Sequence, residues 1–320
     1  MTPKYALKIK LKLRKYYVEK IMKHRKVIEE NFIQSPHLIY QHNSGNLYQG
    51  DSIEWLKTLK SESVDLIFAD PPYNINKADW DKFDSQEHYI HWSMQWITEA
   101  ARVLTKTGTL YICGFSEILA DLKHPAMKHF AACRWLVWHY KNKANLSNDW
   151  GRSHESILHF RKSKQHTFNT DDVRIPYGKH TLKYPAHLQA DSSQYGNNGK
   201  RQDIWTPHPK GAKPKDVIEV PTTCNGMGET TAHPTQKPEE LVRKFILASS
   251  NENDLILDPF SGSGTTLVVA EQLNRKWLGC EINPQYNEWA IERLKNCRRK
   301  SKEEWIEYDK ENEKRRNAIR

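Results

Sequence analysis

The run Leu255-Ile256-Leu257-Asp258-Pro259-Phe260-Ser261-Gly262-Ser263-Gly264-Thr265-Thr266 constrains the fold more than any other stretch of this chain. It reads as a strand, a glycine loop and a helix start in immediate succession. In a Rossmann-like sheet, ligands bind at the carboxyl ends of the strands, and glycines there let a ligand come close to the backbone. A helical stretch from Thr266 to Leu273 follows, and Lys276-Trp277-Leu278-Gly279-Cys280-Glu281 makes the next strand. Glu281 stands 23 positions after Asp258, at the end of that strand, where an acid reaches ribose hydroxyls. The spacing indicates a nucleoside cofactor, although the loop lacks the full Gly-x-Gly-x-x-Gly of a dinucleotide fingerprint. A tight turn would account for the glycines alone, but not for an acid in register with them.

A second strand ends in a different corner. The apolar run Val64-Asp65-Leu66-Ile67-Phe68-Ala69 leads into Asp70-Pro71-Pro72-Tyr73. A carboxylate only accepts hydrogen bonds and a backbone carbonyl adds a second acceptor, so Asp70 and the Pro71 C=O can take both hydrogens of a planar amine. An exocyclic amino group of a nucleobase is a poor nucleophile until its lone pair is freed in this way. Two prolines fix φ and remove two amide donors, which keeps the turn rigid and its acceptors uncontested. Tyr73 offers a ring on which an unstacked base can lie. The plain alternative is a strand-ending turn, which leaves the flanking Asp and Tyr unexplained. A third motif, His233-Pro234-Thr235-Gln236-Lys237-Pro238, opens a helix running to about Ser249, with Pro238 suited to its first turn. A free helix N-terminus beside a hydroxyl, an amide and an ammonium suits a small carboxylate; ordinary capping is the alternative.

The chain has 320 residues, enough for one large α/β domain with an insertion, which is favoured over two modest domains. Its five cysteines, at 113, 133, 224, 280 and 297, form no Cys-x-x-Cys pair and no zinc-spaced cluster. Neither a disulfide framework nor a bound metal is therefore expected, and a reducing cytoplasm fits. No segment has the length of a membrane span and the N-terminus lacks a signal-peptide run, so a soluble protein with no membrane partner is expected. The formal charge is +10 with a pI of about 9.2. It is concentrated in residues 1–40, net +7, residues 161–237, net +5, and residues 291–320, net +4. Positive segments around a slightly acidic middle suit a phosphate backbone. A solvated helix is favoured for the C-terminal segment, where acids and bases mix.

Residues 4–33 read as a basic helix. After the Asn43-Ser44-Gly45-Asn46 turn comes a short strand, Leu47 to Asp51, ending in an acid, then a helix from about 52 to 60. Asp84-Ser85 can cap a helix over 86–104 that gathers Tyr89, Trp92, Trp96, Ala100 and Val103 on one core-facing side. Thr109–Cys113, Trp135–Tyr140 and Ser156–Phe160 look like buried strands alternating with helical material, the pattern of a doubly wound sheet. From 161 to 232 the pattern breaks into Gly, Pro, Asn, His and Lys, with Tyr177, Tyr184, Tyr195 and Trp205 among them. A long irregular segment in a compact domain is functional or disordered, and its basic, aromatic content favours target recognition.

Taken together, these residues resemble the amino-methyltransferases of DNA, in the circularly permuted beta group whose Asp-Pro-Pro-Tyr half precedes the cofactor half. The resemblance runs from about Gly45 to Ala290. Asp70 to Asp81, His166 to Tyr177 and Asp254 to Glu281 are particularly similar to adenine-N6 methyltransferases of type IIS restriction-modification systems. It implies an α/β, Rossmann-like, mostly parallel sheet with helices on both faces and an irregular inserted recognition region. It also implies S-adenosyl-L-methionine as cofactor, double-stranded DNA as partner, a flipped-out adenine, and direct in-line transfer to N6. On this likeness Asp70, Pro71, Pro72 and Tyr73 are catalytic, while Asp258, Pro259, Phe260, Gly262, Ser263, Gly264 and Thr265 form the cofactor loop. Glu281 takes the ribose position, Asp51 sits by the cofactor adenine, Thr235, Gln236 and Lys237 by the methionine carboxylate, and Asn283 also binds the cofactor. The implied organisation is a basic helical extension over 1–43, a catalytic half over 44–160, target recognition over 161–232, a cofactor half over 233–296 and a charged tail over 297–320. A homodimer and a separately acting restriction endonuclease are compatible partners. The rival readings are cytosine-N4 methylation, where Ser more often replaces the first Asp, an NAD-dependent oxidoreductase, and a non-catalytic nucleic-acid-binding module.

Overall fold

A computed structural model of the chain describes residues 35–75, 81–140, 148, 150–188, 204–223 and 228–318; the expected helix over 4–33 and Tyr195 lie outside them. A tight hairpin, β1 (His37–Gln41) and β2 (Gly45–Gln49), comes first. α1 (Ser52–Thr58) begins where the Asp51 carboxylate accepts from the Ile53 and Glu54 N–H groups. β3 (Val64–Ala69) is followed by α2 (Gln86–Val103), capped by the Ser85 hydroxyl on the His88 N–H in the place that Asp84-Ser85 predicts. Then come β4 (Leu104–Gly114), α3 (Ser116–Ala126), β5 (Ala132–His139) and β6 (His154–Arg161). The inserted region holds a short α4 (Lys179–Lys183), β7 (His187–Leu188), β8 (Ile204–Trp205) and β9 (Val217–Glu219). The last part is α5 (Glu239–Ser249), β10 (Leu255–Asp258), α6 (Thr265–Gln272), β11 (Lys276–Glu281), α7 (Pro284–Lys295) and α8 (Lys302–Ala318).

Among the described residues, nine strands make one sheet in the order β1-β2-β11-β10-β3-β4-β6-β5-β9, while β7 and β8 pair separately. Strands β2, β11, β10, β3 and β4 run parallel to one another. Helices α1, α2 and α3 pack together along one face and α5, α6 and α7 along the other. The mostly parallel, doubly wound sheet expected from the sequence is therefore present. From the neighbouring pair β10 and β3 the chain crosses in opposite directions, β10 through α6 to β11 and β3 through α2 to β4. Such a switch point opens a crevice at the carboxyl ends of the two strands.

Several expectations need correction. β5 and β6 are not successive parallel strands: β6 inserts between β4 and β5 and runs antiparallel to both. A continuous apolar run carries no signal of strand direction, which is why the sequence left this open to error. The irregular segment 161–232 is not wholly outside the sheet, since β9 lies parallel to β5 at the far edge. Its start is also tied down, with the Asn169 side-chain amide donating to the Leu247 and Ser250 carbonyls at 3.1 and 2.9 Å. The 1–43 extension ends too late, because His37–Gln41 already form an edge strand. The charged tail docks as well: Arg243 of α5 lies 4.3 Å from the Trp305 ring centroid and 2.6 Å from Asp309 on α8.

The aromatic stripe on α2 is core, as its spacing predicts. Tyr89, Trp96, Ala100 and Val103 are buried, and Trp92 packs against Phe260 of the glycine loop with ring centroids 5.8 Å apart. At the other edge, Gly45 permits β2 to lie against β11, for a Cβ there would sit 2.1 Å from the Trp277 carbonyl oxygen and 2.3 Å from its ring. Backbone cannot yield to that clash without disturbing the β2–β11 register. Gly45→Ala is expected to cost about 1–3 kcal/mol, read as a lower urea midpoint at unchanged slope. A wild-type midpoint in that variant would show that the hairpin edge moves freely.

Candidate active site

The ends of β3 and β10 open into a cleft that, counted out to open solvent, holds about 840 Å³. Asp70 to Tyr73 form one wall and the loop from Asp258 to Thr266 the other. His233 and Thr235 to Lys237, ahead of α5, and Glu281 with Ile282 also line it.

The proline corner is held from behind. Asp81, buried, accepts from the backbone N–H groups of Tyr73 and Asn74, both at 2.6 Å, and of Ile75 at 3.1 Å. The Tyr89 hydroxyl donates to the Pro72 carbonyl at 2.8 Å, so that acceptor is engaged within the protein. These contacts fix the turn whose two prolines have already removed the torsional freedom. The Tyr73 ring meets Phe115 edge-on with centroids 5.2 Å apart, and its hydroxyl donates to Asp70 Oδ1 at 2.6 Å. Burial, then the Asp70 and Glu155 charges, push the Tyr73 phenol well above its ordinary range, so it stays a donor.

Two charged residues complete this corner. The buried Lys237 ammonium lies 2.6 Å from Asp70 Oδ2 and 3.5 Å from Glu155 Oε2. Burial alone would lower its pKa, but the Asp70 and Glu155 carboxylates overcome that and raise it, so Lys237 is a permanent cation. Glu155, on β6, also lies 3.1 Å from the Tyr73 hydroxyl.

Across the cleft the acids are short of positive charge. The Glu281 carboxylate accepts from the Gly262 and Asn283 N–H groups, both at 2.8 Å, yet burial still raises its pKa. Asp258 accepts from the Phe260 N–H at 3.0 Å. Burial first, and then the Asp70 and Glu281 charges, push its carboxyl up to about 7. The loop between them is tightly seated: Gly264 has φ +77° and a Cβ there would lie 2.8 Å from the Ala290 side chain. Arg293 of α7 clamps it, donating to the Ser263 carbonyl at 2.7 Å and Thr265 Oγ1 at 3.0 Å while pairing with Glu239 at 2.9 Å.

Most residues singled out from the sequence line this one cleft: Asp70 to Tyr73, Thr235 to Lys237, Asp258, Phe260, Gly262, Ser263, Thr265 and Glu281. Asp51, Pro259, Gly264 and Asn283 do not. Each of these four braces a wall instead. Asp51 and Asn283 cap α1 and α7, the Pro259 carbonyl accepts from Ser52 Oγ at 2.5 Å, and Gly264 makes the turn into α6. The N-terminus of α5 is not free either, because the Glu229 carboxylate accepts from the Glu239 N–H at 2.7 Å. Gln236 spends its amide on Thr231 and the Glu229 carbonyl, and Lys237 is engaged by Asp70, so neither is an open receptor for a carboxylate. Sequence reasoning missed Glu155, Asp81 and Arg293. A charge set directly against the apolar Ser156–Phe160 run was the available signal for Glu155; helix periodicity carries none for Arg293.

A family model described as DNA methylase matches residues 64–308. The type II methyltransferase M1.MboII of Moraxella bovis is 36% identical over 248 residues, covering 75% of this chain and 92% of the relative. The DNA adenine methyltransferase YhdJ of Escherichia coli (strain K12) is also 36% identical, over 256 residues, with 78% and 82% covered. Among solved structures, the cytosine-N4-specific PvuII DNA methyltransferase superposes with a TM-score of 0.61 at 19% identity, covering 82% of this chain and 89% of that one; this likeness is one of fold.

Asp81 is the brace that the corner cannot replace locally. Asp81→Ala removes the acceptor of three backbone donors, of which the buried Tyr73 N–H costs about 1–3 kcal/mol when left without a partner. The expected result is a thermal midpoint lowered by several degrees, with turnover falling further than the loss of folded protein explains. An unchanged melt and unchanged turnover would mean that the Tyr73–Ile75 backbone holds its shape unaided.

Proposed function

Since the chain belongs to the DNA methylase family, we propose that it methylates N6 of adenine at a specific site in duplex DNA, as part of a restriction-modification system. S-adenosyl-L-methionine is the cofactor of this family. The observation that carries the reading is the meeting of the Asp70 corner and the Asp258 loop in one cleft.

The residues present fit a cationic nucleoside. Asp70, Asp258 and Glu281 all line the cleft, and Lys237, the cation beside them, is already held by Asp70 and Glu155. Burial first, and the Asp70 and Glu281 charges after it, hold the Asp258 carboxyl up. Glu281, acceptor-only at the strand end, suits ribose hydroxyls. A dinucleotide diphosphate would bring further negative charge to three carboxylates, and the Gly262 N–H, a donor for its cradle, is bonded to Glu281. That opposes the oxidoreductase reading. Bound here, S-adenosyl-L-methionine supplies a methyl group on a positively charged sulfur. Asp258 and Glu281 would hold its charged and ribose portions, and Phe260, anchored on Trp92 and Trp96, would form an apolar wall.

The chain's own residues do the rest by positioning. Asp70 and the Pro71 carbonyl accept the two hydrogens of the amine, leaving its lone pair directed into the cleft. Charge that develops on N6 meets fixed acceptors, a preorganised arrangement whose loss commonly costs on the order of 100-fold or more in rate. A carboxylate is too weak a base to deprotonate a neutral aromatic amine, so Asp70 acts as acceptor before it acts as base. We assign the catalytic half to 44–160, the cofactor half to 233–296, and target reading to the basic segment 161–232. Within the latter, Tyr177 and Trp205 pack on each other and Tyr184 is half exposed. A separately acting endonuclease of matching specificity, and a homodimer, belong to the same proposal; the type II names of the relatives support the former.

Two outcomes test the site. Asp70→Ala is expected to keep cofactor affinity within about threefold while losing at least 100-fold in turnover, measured by calorimetry and by methyl transfer to plasmid DNA. Digestion of the wild-type product to nucleosides should yield N6-methyldeoxyadenosine; N4-methyldeoxycytidine would move the assignment to the cytosine rival. For the cofactor side the sign follows from the Asp258 carboxyl at about 7. Below that pH it is protonated and attracts a cation less, so affinity should fall as pH drops from 8 to 6, by up to about tenfold per unit. Asp258→Asn should bind weakly at both values with a flattened dependence. A cofactor affinity that is level from pH 6 to 8 in the wild type would remove Asp258 from the binding role.

A further inference from the structure

The catalytic corner contains a charge that the chemistry of an amine acceptor does not call for. Lys237 Nζ lies 2.6 Å from the Asp70 carboxylate. A lone Asp70–Lys237 pair is neutral, and its ammonium would repel the positive charge that gathers on the attacking nitrogen. Glu155 changes that balance. Its carboxylate is 3.5 Å from the same ammonium and 3.1 Å from the Tyr73 hydroxyl, which itself donates to Asp70. Neither Asp70 nor Glu155 is open to bulk water, with side chains 17% exposed in both cases, so solvent screens these charges only weakly.

We propose that Glu155 is a positioning residue for methyl transfer: by holding Lys237 and Tyr73 it keeps the corner net negative as the amine becomes cationic. This rests on the reading of the cleft as an amino-methyltransferase site and assigns it one further residue. Two features of the surroundings support the role. β6 and β5 pair in register at Glu155 and Trp138, and the Lys237 ammonium also lies 5.9 Å from the Trp138 ring centroid and 5.4 Å from that of Tyr73, so the cation is confined on several sides. Glu155 stands on a rigid interior strand rather than a loop, as a group must whose work is to fix another. The cluster of Asp70, Lys237 and Glu155 then carries one net negative charge, the same as an isolated acceptor carboxylate. Lys237 gains a place from which to orient Asp70 without cancelling it.

The charge balance makes the test specific. In Glu155→Gln the corner becomes neutral, and kcat at saturating cofactor and DNA is expected to fall on the order of 10- to 100-fold. Cofactor affinity and 2-aminopurine fluorescence at the target position, which reads base flipping, should stay within about threefold of wild type, which also establishes that the variant is folded. Glu155→Asp, which restores the charge, should recover much of the loss. The decisive variant is Glu155→Gln combined with Lys237→Met. Removing both opposite charges returns the corner to one net negative charge, so this double variant should exceed Glu155→Gln in kcat. A merely structural Glu155 predicts the reverse, since a second buried polar contact is lost. Wild-type turnover in Glu155→Gln, or a double variant no faster than the single one, would overturn the inference while leaving methyl transfer itself intact. Failure of the wild-type protein to methylate any DNA would instead strike the reading on which it rests.

Discussion

The parallel pairing of β10 with β3 is the constraint on which the rest of the site depends. Ile256 stands opposite Leu66 and Leu257 opposite Ile67, all four fully buried in the middle of the sheet. Each such side chain contributes roughly 1.5–3 kcal/mol by leaving water, so a slip of register would be resisted strongly. Because parallel strands deliver their carboxyl ends to the same side, this pairing sets the residues after Ala69 beside those after Leu257. Two segments far apart in sequence thereby become opposite walls of one cleft. The crossovers leave in opposite directions, so no connecting helix lies over the gap.

Charge in that cleft is arranged at a cost to the fold. A buried lysine between two carboxylates adds little net stability, since the attraction is offset by taking three charges out of water. Apolar residues of similar size would serve a purely structural corner as well. The arrangement fits the chemistry proposed for the cleft, with acceptors for an amine on one side and an acidic wall for a cation on the other. Arg293 belongs to a different class. It joins the glycine loop to Glu239 at the start of α5, so the loop and the segment carrying Lys237 are braced together from outside the cleft.

The sequence made the strand-ending motifs legible because each is local: an apolar run, a turn fixed by Pro or Gly, and an acid at a defined offset. Asp70 to Tyr73 and Asp258 to Glu281 therefore emerged together with the sheet that carries them. What it did not reveal depends on pairing across the fold. Strand direction at β5 and β6 is decided by which edges are open, and a run such as Ile157-Leu158 is equally apolar either way. The ion pairs of Lys237 were hidden for a related reason. Beside Pro238 it resembled a helix-terminal anion receptor, but the terminus is capped by Glu229 and the ammonium turns to Asp70. Asp51 has a second task that the sequence did not bring out: an acid at a strand end can serve a ligand or the next helix, and here one of its oxygens accepts from the first turn of α1.

In-line transfer between two walls needs them held to a fraction of an ångström, and strand pairing alone fixes only their bases. A line of aromatic contacts supplies the rest. Phe260, in the glycine loop, packs on Trp92 and Trp96 of α2 with centroids 5.8 and 5.3 Å apart. Trp92 contacts Tyr89 on the same helix, and the Tyr89 hydroxyl binds the Pro72 carbonyl. Phe83 packs against both rings from the segment that returns from Asp81, the brace of the corner. The glycine loop and the Asp70 turn are thus joined through one set of packed rings on α2. Pairs of large rings are well suited to this, since each loses few torsions on burial and transmits displacement without compressing. The helix that the sequence marked only as core is accordingly the element that ties the two walls of the cleft together.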